Sequence, residues 1–294
     1  MIGQTQDRPR ALPLVTPPRS EELLSSWLTR IAQDYYVTPR GLLTHMGLSP
    51  PSAERLDLTL TFTQAMTMSG FVRLPPDAIV GMTHARLPSD CQSLVRVIHP
   101  QQSCRSCASQ FKREGAAGAI LKSWVQGWRV TCRSCGDAIS DIWSDVDRAG
   151  AASFCQWEEE ARAGEGIVEA YASGRRTFPV SPATMMRLLL LRRRPTPKEV
   201  REQPEFQHRL IGTIIPEFDM IADDHGLNAM IGRSPVLPMV IRLRLLAGVA
   251  TVMKNPIGQI SMLRQSRAFG PQFDRVLAQD PIIAPEPLPQ SRLT

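Results

Sequence analysis

The sequence predicts a mainly α-helical protein in which a small cysteine-held segment with short β-strands interrupts two helical domains. Three observations predict it. Apolar residues recur at spacings of three and four through both halves of the chain. Two Cys-x-x-Cys pairs stand in the middle, 24 residues apart. Around those pairs, glycines and short β-prone runs replace the helical period. With 294 residues there is room for two or three domains, each with its own core. A composition that is 43% hydrophobic and 21% charged excludes wholesale disorder, collagen and coiled coil. The longest apolar stretch, residues 236–253, is broken by Arg242 and Arg244, and the N-terminus is polar and Pro-rich. A soluble, cytoplasmic protein with no membrane partner is expected.

Residues 1–19 carry Pro9, Pro13, Pro17 and Pro18 without a hydrophobic period, and read as a flexible, extended arm. Residues 20–98 read as a helical domain. Ser20 is a candidate N-cap, with Glu21 and Glu22 in the first turn, where the helix dipole favours acids. Leu23, Leu24, Trp27, Leu28 and Ile31 then share one face of a helix ending near Tyr35. Thr38-Pro39 starts a second helix, with Leu42, Leu43 and Met46, that stops at Gly47. Two short helices joined by so few residues form a helix-turn-helix-like corner, a unit that binds DNA in some proteins and only packs in others. Further short helices are expected from Thr63 to Gly70 and from Pro75-Pro76 to Met82.

Residues 99–145 contain Cys104-Arg-Ser-Cys107 and Cys132-Arg-Ser-Cys135-Gly136. In each pair the two-residue gap lets both sulfurs turn toward one ion, and two such knuckles make a closed tetrahedral set suited to one structural Zn²⁺. Gly136 suits the tight turn of the second knuckle. The runs 124–125 and 128–131 read as strands of a zinc ribbon, with the spacer as a hairpin loop. Disulfides and thioredoxin-type redox chemistry are the competing readings. A cytosolic chain and the lack of a βαβ pattern disfavour them. Cys91 and Cys155 stand alone and read as small buried hydrophobes.

Residues 146–280 read as a second helical domain, with helices around 153–173, 182–194, 203–225, 236–253 and 258–278; residues 281–294, rich in proline, read as a disordered tail. Asp223-Asp224-His225 before Gly226 reads as a helix C-terminus and its cap, not as a metal site.

The net charge is +6, carried by 30 Arg and only 4 Lys. Its distribution is blocked: +5 over residues 104–135, −7 over 137–174 and +6 over 175–194. Such blocks fit a polyanion-facing surface beside an acidic one that could meet a basic partner, or a merely solvated surface. Arg105, Lys112, Arg113, Lys122, Arg129 and Arg133 interleave with Trp124 and Trp128 and are candidate nucleic-acid contacts, though the tryptophans are as readily explained by packing. Arg192, Arg193 and Arg194, read as the end of an amphipathic helix, complement its dipole or meet phosphates or an acidic partner. No phosphate-binding loop, nucleophile elbow or His-Glu-x-x-His motif occurs, so no catalytic residue is nominated.

The run Ser20-Glu-Glu-Leu-Leu-Ser-Ser-Trp-Leu-Thr-Arg-Ile-Ala32 resembles the opening "E-S-L-x-S-W-L-x-R-L-A" of the TniQ family. Gly70 and Met82-Thr83 sit where that family has "L-T-G … M-T", and the paired knuckles, with Trp128 just before Cys132, follow in the family's order. The resemblance covers roughly residues 12–145. Two departures stand out: Arg105 replaces a common proline, and Cys135 replaces the histidine of Cys-Pro-x-His-Gly, an exchange of one zinc ligand for another. No further Cys pair follows, so a second zinc site is not expected. The resemblance implies Cys104, Cys107, Cys132 and Cys135 as zinc ligands and a non-catalytic adaptor in DNA transposition. Such adaptors link target DNA, or a CRISPR RNA-guided complex, to an AAA+ transposition ATPase, and some act as homodimers. A nucleoid-associated location would follow. A stand-alone sequence-specific transcriptional regulator would use the same helices and ribbon. A zinc-dependent nucleic-acid enzyme would need an open metal position or a catalytic carboxylate near the knuckles, and the sequence offers neither.

Overall fold

The computed structural model describes residues 11–98, 100–141, 144–195, 197–202, 207–232, 234–265, 271–280 and 282. The first ten residues of the expected arm, His99 and nearly all of the expected tail lie outside the described residues. The fold is mainly helical, as expected, and separates into two compact units. One runs through Leu87 and takes in Arg96–Gln126 and Thr131–Ile139; the other is built from Pro88–Val95, Gly127–Val130 and the chain from Ser140 on. The N-terminal helices and the cysteine pairs therefore share a unit. No helix among the described residues is long and apolar enough to cross a membrane.

In the first unit, α1 (Leu24–Asp34) starts later than Ser20. Glu21 takes a left-handed backbone (φ +61°) and Glu22 makes an antiparallel bridge to Leu121, so the helix begins only after Leu23. α2 (Pro39–His45) is capped by Thr38, whose side chain accepts from Gly41 N at 3.0 Å, and ends before Gly47 at φ +74°. α3 (Ala53–Thr59) was not expected. α4 (Phe62–Val72) is capped by Thr61 in a reciprocal box with Gln64, two residues before the expected cap, and runs past Gly70 to a left-handed Arg73. α5 (Pro76–Gly81) completes the set. Leu24, Trp27, Leu28 and Ile31 of α1 meet Leu42, Leu43, Leu56, Met68 and Ile79 in one core.

Residues 11–19 are extended but anchored, which corrects the expectation of a flexible arm over this stretch. Leu12 is buried and its N–H donates to Phe71 O; Trp27 Nε1 donates to Thr16 O at 2.6 Å and Arg30 to Pro17 O. Arg30 also forms the central ion pair of the unit. Its Nε and Nη2 donate to the two oxygens of Glu22 at 2.9 and 2.7 Å, and Glu22 is 1% exposed.

In the second unit, α6 (Ser89–Gln92) is followed in sequence order by α8 (Ser144–Ala172), α9 (Pro182–Leu189), α10 (Pro197–Glu202), α11 (Phe218–Asp224), α12 (Met239–Val252), α13 (Pro256–Gln265) and α14 (Pro271–Ala278). α7 (Arg105–Arg113) belongs to the first unit. α8 and α12 lie so close that a Cβ on Gly164 would sit 2.1 Å from Leu246 O. The expected helix over 203–225 is broken: Leu210–Thr213 is a 3₁₀ turn, and α11 starts only after Pro216, whose missing N–H and restricted preceding residue interrupt the run. α9 stops at Leu189, short of the expected 194. His225 and Gly226 (φ +62°) end α11, as their sequence context indicated.

Two predictions follow from the buried charges. Arg30→Met would strand the Glu22 carboxylate in the core, and should lower unfolding stability by about 3–5 kcal/mol in urea titration. Asp57 accepts from Ser25 N and Oγ, yet burial pushes its carboxyl from 3.8 up to about 7. The raised folded value means Asp57 supports the fold fully below pH 4, and that support is lost as pH rises through 7. Asp57→Asn should remove this dependence, so the stability difference between variant and parent should move in favour of the variant from pH 5 to pH 8. A pH-independent difference would refute the assignment.

Candidate metal centre and basic face

The first knuckle is built on a helix. Cys104 occupies the N-cap of α7 (Arg105–Arg113), and Cys107 lies in its first turn, so one helical turn brings both sulfurs to the same side. The second knuckle is a tight loop. Thr131 and Ala138 pair across it, Cys132 N donates to Asp137 O at 2.7 Å, and Gly136 N returns to Cys132 O at 2.8 Å with a left-handed backbone (φ +82°) that only glycine adopts without strain.

The four sulfurs converge. Cys104 and Cys135 Sγ lie 3.4 Å apart, Cys107 and Cys132 Sγ 3.7 Å, and all four fall within 4.8 Å of one another. A tetrahedral ion with metal–sulfur bonds of about 2.3 Å places its ligands about 3.8 Å apart, so the set can hold one metal ion. Burial, chiefly, raises the Cys104 thiol to about 12 and moves Cys107 in the same direction. Cation binding would have to displace those protons, which makes affinity fall with pH. Cys104, Cys107 and Cys132 are buried and Cys135 is exposed.

The spacer is not the expected β-hairpin. It holds α7 and, over Lys122–Val125, a 3₁₀ turn, while Gly127–Val130 belongs to the second unit. The strands β1 (Gln102–Ser103) and β2 (Ser140–Asp141) are two residues each and lie outside both expected runs. Phe111 from the buried side of α7 packs on Trp124, ring centroids 6.2 Å apart. Trp124 and Trp128 are both buried, the packing reading of these residues.

The nominated basic residues separate into distinct groups. Arg105, Lys112 and Arg113 are exposed on α7 with Ser106, Ser109 and Gln110, and Arg133 is exposed on the second knuckle with its Nε 3.8 Å from Glu21. The acid in this segment, Glu114, is ion-paired with Arg19. Lys122 is tied down, its Nζ donating to Gly81 O at 2.6 Å and lying 3.8 Å from Glu21. Arg129 is no surface contact at all. It is 7% exposed and pairs with Glu165 at 3.1 Å and Glu169 at 2.6 Å, all in the second unit. Arg192, Arg193 and Arg194 do not end a helix: Arg192 bridges Arg209, and Arg193 N donates to His208 O, so the segment is extended. The 137–174 block is not all acidic surface: Asp141, Glu165 and Glu169 face basic side chains within the second unit. Cys91 is buried as expected, whereas Cys155 is exposed.

No family model matches the chain, and neither a curated protein nor a solved structure matches it significantly.

Metal analysis of the purified protein should give one ion per chain. Cys107→Ser should abolish it and lower the melting temperature, while Cys135→His should retain it, because imidazole substitutes for thiolate in such sites. Equal metal content in all three proteins would exclude this centre.

Proposed function

We propose that this protein is a zinc-organised, non-catalytic target-selection adaptor of the TniQ kind, meeting nucleic acid through α7 and the second knuckle. The observation that carries the nucleic-acid contact is the pairing of the four-cysteine cluster with that helix. Two of the four cysteines sit at its N-terminus, so the ion that fixes the cluster also fixes the direction of Arg105, Lys112 and Arg113. Arginine and lysine suit phosphates; Ser106 and Ser109 beside them can donate to and accept from polar edges, and Gln110, whose Nε2 donates to Glu114, can accept. All-thiolate ligation with borderline-soft tetrahedral geometry favours Zn²⁺ over harder cations. Four protein ligands leave no open coordination position, so the metal's part is structural.

The adaptor reading itself rests on the sequence resemblance, and one structural fact supports it. The residues that carry the resemblance, Glu22, Ser26, Trp27 and Arg30, are buried where α1 joins the cysteine segment, through Leu23 N to Ile120 O and Ile120 N to Ser26 Oγ. Within this reading the partners are target DNA or an RNA-guided complex on one side and an AAA+ transposition ATPase on the other, in the cytoplasm at the nucleoid.

A stand-alone DNA-binding regulator is the second reading. The α1–α2 corner favours it, because Tyr36 is 97% exposed in the turn and Arg40, Thr44 and His45 face outward on α2.

Fluorescence anisotropy with duplex DNA at two salt concentrations tests the proposal. Binding should weaken steeply with salt and be lost when the metal is stripped. Replacing Lys112 and Arg113 by Gln should flatten the log–log salt slope by about 2, one per phosphate contact removed. Binding that survives both changes would move the contact to the α1–α2 corner. No binding by folded, metal-loaded protein at low salt would exclude direct DNA contact.

A further inference from the structure

The second unit contains a cavity of about 240 Å³. Leu94, Met186, Leu190, Pro235, Leu237 and Leu245 give it apolar walls. Gly127 closes one side. Its N–H donates to Leu94 O at 2.8 Å, and a Cβ there would lie 2.0 Å from Pro235 O, so no side chain can fill the space from that position. Two hydroxyls line the cavity, but both are committed as donors to backbone carbonyls, Ser93 to Asp90 O and Ser234 to Val236 O.

One charged side chain lines it, Arg187 from α9. Its Nη2 donates to Thr184 Oγ1 at 3.2 Å; its Nε is shut off from solvent and has no hydrogen-bond partner. Among the described residues no carboxylate lies within ion-pair distance of it. The acids near Cys91 are engaged elsewhere: Asp90 accepts from Ser181, Tyr171 and Cys91 N, and Glu169 pairs with Arg129. A half-buried guanidinium with an idle N–H and no counter-charge is a costly arrangement for a cavity wall. An anion relieves it through charge-assisted hydrogen bonds, and an apolar body on that anion displaces water from the remaining walls.

We propose that this cavity is a binding site for a small organic monocarboxylate, with Arg187 as its counter-charge. At about 30 Å³ per non-hydrogen atom the cavity takes roughly eight of them, the size of a six-carbon acid. The carboxylate belongs either to a free acid or to the C-terminus of a peptide. The site is independent of the metal centre and of nucleic-acid binding.

Titration of the intact protein with sodium hexanoate at constant ionic strength, followed by melting temperature and calorimetry, tests this. Hexanoate should bind saturably and raise the melting temperature by a few degrees, while hexanamide, equal in size but neutral, should not. An N-acetylated tripeptide ending in leucine, run in parallel, distinguishes the two sources by which ligand binds more tightly. Arg187→Gln should weaken hexanoate roughly ten-fold or more, and Arg187→Lys should keep part of the affinity. Leu190→Phe, which leaves Arg187 in place and narrows the cavity, should weaken it as well. Equal binding of hexanamide, unchanged binding by folded Arg187→Gln, or no saturable binding of either carboxylate below roughly 10 mM would overturn the proposal.

Discussion

The first unit depends on one carboxylate. Glu22 is buried and accepts four hydrogen bonds, from Arg19 N, Ser26 Oγ, and Nε and Nη2 of Arg30. The donors come from the N-terminal segment and from α1, and through Ser26 they tie in a third piece of chain. Arg19 ends the extended N-terminal segment, Ser26 carries on to Ile120 N, and Arg30 reaches back to Pro17 O. A buried carboxylate is tolerable only when fully satisfied, so these pieces are held to one arrangement. The backbone of Glu22 adds the bridge to Leu121, and Glu21 O takes Lys122 N. Helix α1, the N-terminal segment and the stretch between the cysteine pairs are thereby fixed around a single side chain.

The cysteine cluster extends that arrangement to a helix with little core of its own. α7 is nine residues long and buries only Cys107 and Phe111. A helix so short has little stability alone in water. Cys104 and Cys107 at its start and the Phe111–Trp124 contact in its last turns hold it at both ends, which frees its outer face from any packing duty. That division of labour explains why the outer face can be polar and basic without weakening the fold.

Much of this was legible in the sequence, and the failures have common causes. The apolar period located α1, α2, α9 and α12, and the Cys-x-x-Cys spacing located the sulfurs. Helix starts were misplaced where tertiary contacts took the capping residue, as at Ser20, where Glu21 turned left-handed to let Glu22 pair with Leu121. The β-prone runs at 124–125 and 128–131 became a 3₁₀ turn and a buried segment, because tryptophans and valines suit a packed interior as well as a strand. The mobile arm expected from its prolines was pinned, over residues 11–19, by carbonyls accepting from Trp27 and Arg30, bonds that no local pattern announces.

Charge was the least legible feature, and the reason bears on how the basic pI should be read. In the second unit, arginines sit in the interior. Arg209 pairs with Asp219 at 2.8 Å, Arg129 with Glu165 and Glu169, and Arg242, fully buried, stands 3.8 Å from Asp141. Burial lowers the Arg242 pKa, and the charges of Asp141 and Glu165 oppose that shift. The apparent alternation of basic and acidic blocks is therefore partly the two halves of internal ion pairs separated in sequence. Subtracting them leaves exposed positive side chains in both units: Arg175, Arg176, Arg192 and Arg194 in the second, and in the first those of α7 and the second knuckle, a small patch on the cysteine-held segment. A patch so placed makes geometry, not net charge, the basis of any nucleic-acid contact: the same residues on an unfixed helix would keep the charge and lose the alignment.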